Sequence, residues 1–137
     1  LITRLKKQHP KARHFVYAYR YLNQYEQIVE NSSDDGEPKG TSGRPSLAVL
    51  QGANIINSAV VIVRYFGGIK LGTGGLVKAY SDAVNQVVKE AVFENYEKLI
   101  QKTIQVSYHN FSKIKYELQQ QNIKIIDQQF DDKITLI

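Results

Sequence analysis

The chain has no cysteine, no methionine and no tryptophan, and only three prolines. Without cysteine there is no disulfide, no thiol nucleophile and no thiolate-bound zinc. No apolar run approaches the roughly 18 residues needed to cross a bilayer. The first residues also lack the basic, apolar and small-residue order of a secretory signal. The expectation is a cytoplasmic protein with no membrane partner. Methionine is missing even at position 1, and Leu1 to Gln8 reads as the end of a helix, so the chain is expected to be a portion of a longer one. His9, His14 and His109 share no ligand spacing and do not point to a metal or proton-transfer centre.

What is present is enough for a packed core. Apolar residues make up 42% and aromatics 10%, spread along all 137 positions, a length that suits one average domain or two small ones. The net charge of +5 is unevenly placed. Residues 1–93 hold 12 Lys/Arg against 7 Asp/Glu, whereas residues 94–137 hold 6 of each.

His9-Pro10 stops the first helix, since proline cannot continue it. From His14 to Tyr21, Phe15, Tyr17 and Tyr19 alternate with Val16, Ala18 and Arg20, which predicts a strand with two differently used faces. Asn31 to Ser46 has no apolar side chain and is dense in Ser, Asp and Gly, which predicts one long loop, functional or mobile. Pro45 suits the first turn of a short helix closed by Gly52. Asn57 to Phe66 is apolar at its centre and reads as a strand buried on both faces. After the glycine-rich stretch, Leu76, Tyr80, Ala83, Val84, Val87, Val88 and Ala91 form a helical stripe. Beyond Asn95 the pattern is strand (Ile104 to Tyr108), helix (Phe111, Ile114, Leu118, ended by Asn122), and two strands, 123–130 and 133–137, joined at Asp131-Asp132. That β-α-β-β order is a ferredoxin-like unit short of its last helix and strand.

Two stretches invite chemistry. Gly67, Gly68, Gly72, Gly74 and Gly75 lie between a strand and a helix, where backbone amides suit phosphate or carboxylate. The P-loop pattern fails because Thr73, not Lys, follows Gly72, and the dinucleotide pattern fails at Val77. With Arg64, Tyr65 and Lys70 alongside, the stretch reads as an anion or RNA-backbone contact, or else as glycines serving only turns and packing. In the acidic stretch, Asn31, Ser33, Asp35 and Gly36 begin like a calcium loop, but the required twelfth-position glutamate is Ser42, so no metal or other cofactor is expected. No nucleophile elbow is present, although triad members need not be close in sequence. Arg13, Arg20, Lys39, Arg44, Arg64 and Lys70, interleaved with Tyr17, Tyr19, Tyr65 and Phe66, could hold phosphate and stack on unpaired bases.

The run SSDDGEPKGTSGRP (Ser32 to Pro45), followed by VVIVRYFGGIKLGTGGLVKAYSDA (Val60 to Ala83), resembles the defining motif pair of the YigZ/IMPACT family, and HPKARHFVYAYR (His9 to Arg20) fits that family's first strand. The resemblance covers residues 1–93 strongly and the rest by position and pattern. It implies an α+β protein: an N-terminal two-layer α/β domain over 1–93, related to domains of ribosomal proteins and elongation factor G, with a strand and most of a helix before Leu1. A ferredoxin-like domain over 94–137, similar to that factor's last domain, would follow.

In eukaryotic members the family domain regulates translation by competing for an activator of a stress kinase; for bacterial members the resemblance points to nucleic-acid binding. The second domain fits the bacterial arrangement, so the kinase role is not carried over. By position, the family's shared surface is Asp34, Asp35, Gly36, Glu37 and Pro38, then Gly43, Arg44 and Pro45, then Arg64, Tyr65, Gly67, Gly68, Lys70, Gly72, Gly74 and Gly75. Many relatives carry a cysteine soon after the strand's histidine; Phe15-Val16 follows His14 here, against any thiol role.

The expectation is therefore a non-enzymatic, translation-linked regulator whose acidic and glycine stretches engage RNA, ribosome or a protein partner. The alternative is a hydrolase of small phosphorylated or peptide substrates, with Asp34, Asp35 or Glu37 as base. Clustering of those carboxylates beside Arg64 and Lys70 would favour the alternative.

Overall fold

Period-2 alternation in the first strand determines how the N-terminal half packs. The computed structural model describes residues 1–137 as two units, Leu1–Phe93 and Glu94–Ile137. The first unit runs α1 (Ile2–Gln8), β1 (His14–Leu22), β2 (Ile28–Ser33), α2 (Gly43–Gly52), β3 (Ser58–Arg64) and α3 (Gly72–Glu90). Its sheet has the order β2-β1-β3, antiparallel throughout. Val16, Ala18 and Arg20 point from the central strand toward α2 and α3, with Val60 and Ile62 of β3 on the same side. Ala18, Leu50, Ile55 and Val84 form one core cluster, and Val16, Leu76 and Tyr80 form a second, joined through Ile62.

Three expectations are corrected here. The stretch 31–46 is not one loop: β2 runs through Ser33 and α2 begins at Gly43, leaving 34–42 as the connection. Strand β2 is polar because it lies at the sheet edge, where β1 supplies its backbone partners and few of its side chains meet the core. A five-residue turn feeds it, in which the Asn23 carboxamide oxygen accepts the Tyr25 and Gln27 amides, both at 2.9 Å. Strand β3 is not buried on both faces; it ends at Arg64 and, as the opposite edge, is half-buried. In α3 the stripe holds for Leu76, Tyr80, Val84 and Val88, but Val87 faces solvent and Ala91 is already extended.

The second unit is a β-α-β-β arrangement: β4 (Ile104–Val106), α4 (Tyr108–Gln120), β5 (Gln128–Phe130) and β6 (Ile134–Leu136). Its antiparallel sheet has the order β4-β6-β5, with Ile134 and Leu136 of the central strand fully buried. The strands are shorter than their sequence pattern. Tyr108 opens α4, and Ile123 to Asp127 precede β5, although the Asp127 carbonyl still accepts the Ile137 amide at 3.1 Å. An apolar cavity of about 340 Å³ lies in this unit, lined by Ile100, Ile104, Leu118, Ile123, Ile126 and Leu136 among others. No helix is long and apolar enough to cross a membrane.

Candidate functional site

The acidic stretch between β2 and α2 is folded inward, and each carboxylate has a distinct task. Asp34 Oδ1 accepts the amides of Ser42 (3.1 Å) and Gly43 (2.8 Å), and Oδ2 accepts the amide of Gly40 (2.8 Å). It thereby does what the α2 N-cap residue Ser42 does not, since no side-chain cap bond comes from Ser42 itself. Burial by itself would raise the Asp34 pKa, but the three amides, with Arg44 nearby, outweigh it and hold the carboxyl below its ordinary range. The first turn of α2 comes very close to the end of β2. A side chain at Gly43 would place its Cβ 2.8 Å from the Ser33 carbonyl carbon, so only glycine fits.

Asp35 and Gly36 turn the chain with positive φ angles of 43° and 86°. Strand β2 pairs with β1 only as far as Ser33 opposite Tyr17; beyond it the Asp35 carboxylate accepts the Phe15 amide at 2.6 Å and extends the ladder with a side chain. The Asp35 carbonyl accepts a hydrogen bond from His14 Nδ1 at 2.8 Å. A carbonyl only accepts, so Nδ1 carries the proton and Nε2 is turned toward Glu37 Oε1, 3.9 Å away.

Glu37 is the convergence point. It is 8% exposed and accepts from Arg64 Nη1 and from the Tyr80 hydroxyl, the latter at 2.9 Å. Cross-strand register brings His14 and Arg64 directly opposite each other on the helix-facing side of β1 and β3, where α3 delivers Tyr80. Burial first, then the bond to Glu37 and its charge, push the Tyr80 pKa far up, so the phenol remains a donor. Thr41, Ser42 and Ser46 complete the buried polar region: Thr41 Oγ1 donates to the Pro38 carbonyl at 2.6 Å and Ser46 Oγ to the Ser42 carbonyl at 2.8 Å.

The glycine stretch is of a different kind. Tyr65 and Phe66 lie past the end of β3 and are 51% and 46% exposed, not hidden in the core, and Ile69 is 77% exposed. Lys70 is also exposed. The His9 ring nitrogen and the Tyr65 hydroxyl are 2.7 Å apart, and the Arg13 guanidinium lies over the Phe66 ring at 5.7 Å. Gly68 and Gly72 have φ of 87° and 72°, the left-handed region that glycine adopts freely. Gly67 and Gly74 face open space, so neither a φ angle nor a close contact accounts for glycine there.

The structure thus brings Glu37 and Arg64 into one buried cluster and sets Asp34 and Asp35 at separate backbone positions. Pro38 passes its carbonyl to Thr41, Pro45 lies in the first turn of α2, and Arg44 is exposed beside it. Sequence reasoning passed over His14, Ser42 and Tyr80. A tyrosine inside the buried stripe of α3 was the available signal, because a buried phenol needs a polar partner.

Comparison with known proteins covers both units. Residues 1–88 match the Impact N-terminal domain, and residues 104–137 match a domain of unknown function (DUF1949). The IMPACT family member YigZ of Escherichia coli is 38% identical over 135 residues, 98% of this chain and 66% of that protein. An IMPACT family member of Haemophilus influenzae is 46% identical over 87 residues, 64% of this chain and 42% of that protein. The chain therefore spans less than two thirds of these relatives. A crystal structure of a hypothetical protein, 38% identical, superposes with a TM-score of 0.67 over 98% of this chain and 66% of its own.

Proposed function

The chain belongs to the IMPACT family, and from that premise we propose that it is a non-enzymatic, translation-linked binding protein of the cytoplasm. In this reading it contacts RNA, free or on the ribosome, through the loop between β3 and α3. The observation that carries the reading is the inward use of the acidic stretch. Asp34 holds three amides, Asp35 a strand amide, and Glu37 an arginine and a phenol. A hydrolase at this face would need a carboxylate free to take a proton from water; both oxygens of Asp34 are taken up by amides, and Asp35 and Glu37 each spend one oxygen on holding the fold.

Outward, the same face offers Tyr65, Phe66, Ile69 and Lys70 on the loop after Arg64, with the Arg13 guanidinium over the Phe66 ring. Cationic and aromatic side chains together suit a polyanion. Regulation would follow by competition: an RNA or ribosomal surface held here is withheld from another factor.

The test is binding of the full chain to labelled RNA and to ribosomes across a salt series, with Lys70→Ala as the variant. Arg64 is unsuitable, because its loss strands the buried Glu37 charge. Binding that weakens with salt, with a slope shallower by about 1 in the variant, supports a phosphate contact at Lys70. No binding at low salt retires the RNA reading and leaves capture of a protein partner.

A further inference from the structure

On β1, Tyr17, Tyr19 and Tyr21 occupy alternate positions and therefore stand on the sheet face turned away from α2 and α3. The row opens progressively. Phe15 at its start is buried, Tyr17 and Tyr19 are half-buried, and Tyr21 is 44% exposed. The Tyr17 and Tyr19 rings are nearly parallel, 11° apart with centroids 6.3 Å apart, and Tyr19 and Tyr21 follow at 6.0 Å and 31°.

Aromatic residues on a strand ordinarily stabilise a sheet by packing on large cross-strand partners. Here the residues opposite are small or short: Ser33 and Val61 flank Tyr17, and Asn31 and Ala59 flank Tyr19. The rings meet one another along the strand and are left without a large neighbour across it. None of the strand positions on this face carries a carboxylate.

Charge completes the picture. No Asp or Glu precedes Glu26, whereas Arg4, Lys6, Lys7, Lys11 and Arg13 are all exposed. Lys6 places its ammonium over the Phe15 ring, 5.5 Å from the centroid, which brings the basic end of α1 to the head of the tyrosine row. A planar, charge-free row beside a cationic rim fits a ligand with planar apolar faces and a separate anionic backbone.

We propose that this sheet face is a base-stacking platform for single-stranded RNA, with unpaired bases lying on Tyr17, Tyr19 and Tyr21 and the phosphates running toward α1. Sheets with exposed aromatics take two or three unstacked bases in this manner, and the contact tolerates many sequences because every base has a π face. The inference rests on the reading that the chain binds RNA, but it assigns a surface separate from the loop after β3. A duplex keeps its bases stacked inside and cannot use the platform.

The probes are a fluorescein-labelled oligouridine and an RNA duplex of equal length, titrated by anisotropy with the full chain. The single strand should bind more tightly than the duplex, and Tyr19→Ala and Tyr21→Ala should each weaken it by about tenfold without changing the salt slope. Tyr19→Phe keeps the ring and should bind like the parent. Thermal unfolding of each variant separates lost stacking from lost folding. Ultraviolet cross-linking of the parent chain should place uridine on the tryptic peptide His14–Arg20, a readout that needs no variant.

Equal binding of duplex, alanine variants that bind like the parent, or cross-links confined to the loop after β3 would each overturn the platform. So would a concentration-dependent dimer that Tyr19→Ala abolishes, since a second copy would then be the occupant. Sensitivity to Lys70→Ala alone overturns the platform and keeps the loop; sensitivity to the tyrosine variants alone does the reverse. No RNA binding at all removes both.

Discussion

Tyr80 donates its hydroxyl to the Glu37 carboxylate at 2.9 Å across 43 positions of sequence, joining the middle of α3 to the acidic stretch. That bond and the one from Arg64, both to Oε1, replace water as donors to a carboxylate that is largely buried. Tyr80→Phe is expected to destabilise the first unit by about 1–3 kcal/mol, because a buried acceptor loses a partner. Urea unfolding of the parent and the variant at neutral pH reads the difference.

The same bond has an alkaline signature. The folded-state pKa of Tyr80 is raised above its ordinary 10.0, first by burial and then by Glu37. The contribution is therefore fully present below pH 10.0 and is lost as pH rises from there toward the higher folded value. Spectrophotometric titration should show one phenol that stays unionised well above pH 10.0, until the unit unfolds. In Tyr80→Phe that late step should be gone.

Asp34 gives the opposite sign. Its folded pKa lies below the ordinary 3.8, so its contribution is present above that pH and disappears as pH falls below it through the folded value. Asp34→Ala should cost about 1–2 kcal/mol at neutral pH, the scale of a lost helix cap. The gap between the parent and the variant should close as the pH falls below 3.8. A gap that persists at acid pH would show that the carboxylate charge is not what α2 uses.

Two glycines should respond oppositely to alanine. Gly43→Ala drives a Cβ into the Ser33 backbone, which neither neighbour can relieve by rotating a side chain, and should cost about 1–3 kcal/mol. Gly74→Ala adds a methyl to open space inside α3 and should leave stability equal or raise it by up to about 1 kcal/mol. Thermal denaturation distinguishes the two, and weaker RNA binding by a fully folded Gly74→Ala would mark that position as part of the contact surface.

Arg20 is buried on the helix side of β1. Its Nε donates to Glu30 at 2.8 Å, and Nη1 donates to the Ile55 carbonyl at 3.0 Å and the Leu50 carbonyl at 3.4 Å. It therefore ties the C-terminal end of α2 to the sheet. Arg20→Leu should destabilise by about 2–3 kcal/mol, since the carbonyls lose a charged donor. Hydrogen exchange should report the loss first at the Ala53, Asn54 and Ile55 amides, which close the end of the helix.

Local patterns determined much of the architecture. Alternation of Phe15, Tyr17 and Tyr19 with Val16, Ala18 and Arg20 predicted β1 and its two faces, and three- and four-residue spacing placed α3. The punctuation after Asn95 specified a β-α-β-β order, because side-chain period and turn chemistry act within a few residues. The motif pair Ser32 to Pro45 and Val60 to Ala83 was enough to identify the family. Tertiary structure decided the rest. β2 exists because β1 offers it backbone partners, which no side-chain pattern of Ile28 to Ser33 announces. β3 is half-buried because three strands leave it at an edge. The acidic stretch looked like a ligand surface, yet Asp35 meets Phe15 and Glu37 meets Arg64 and Tyr80, from three other places in the chain. Whether a carboxylate faces solvent or a buried donor depends on partners tens of residues away, and only folding brings those together.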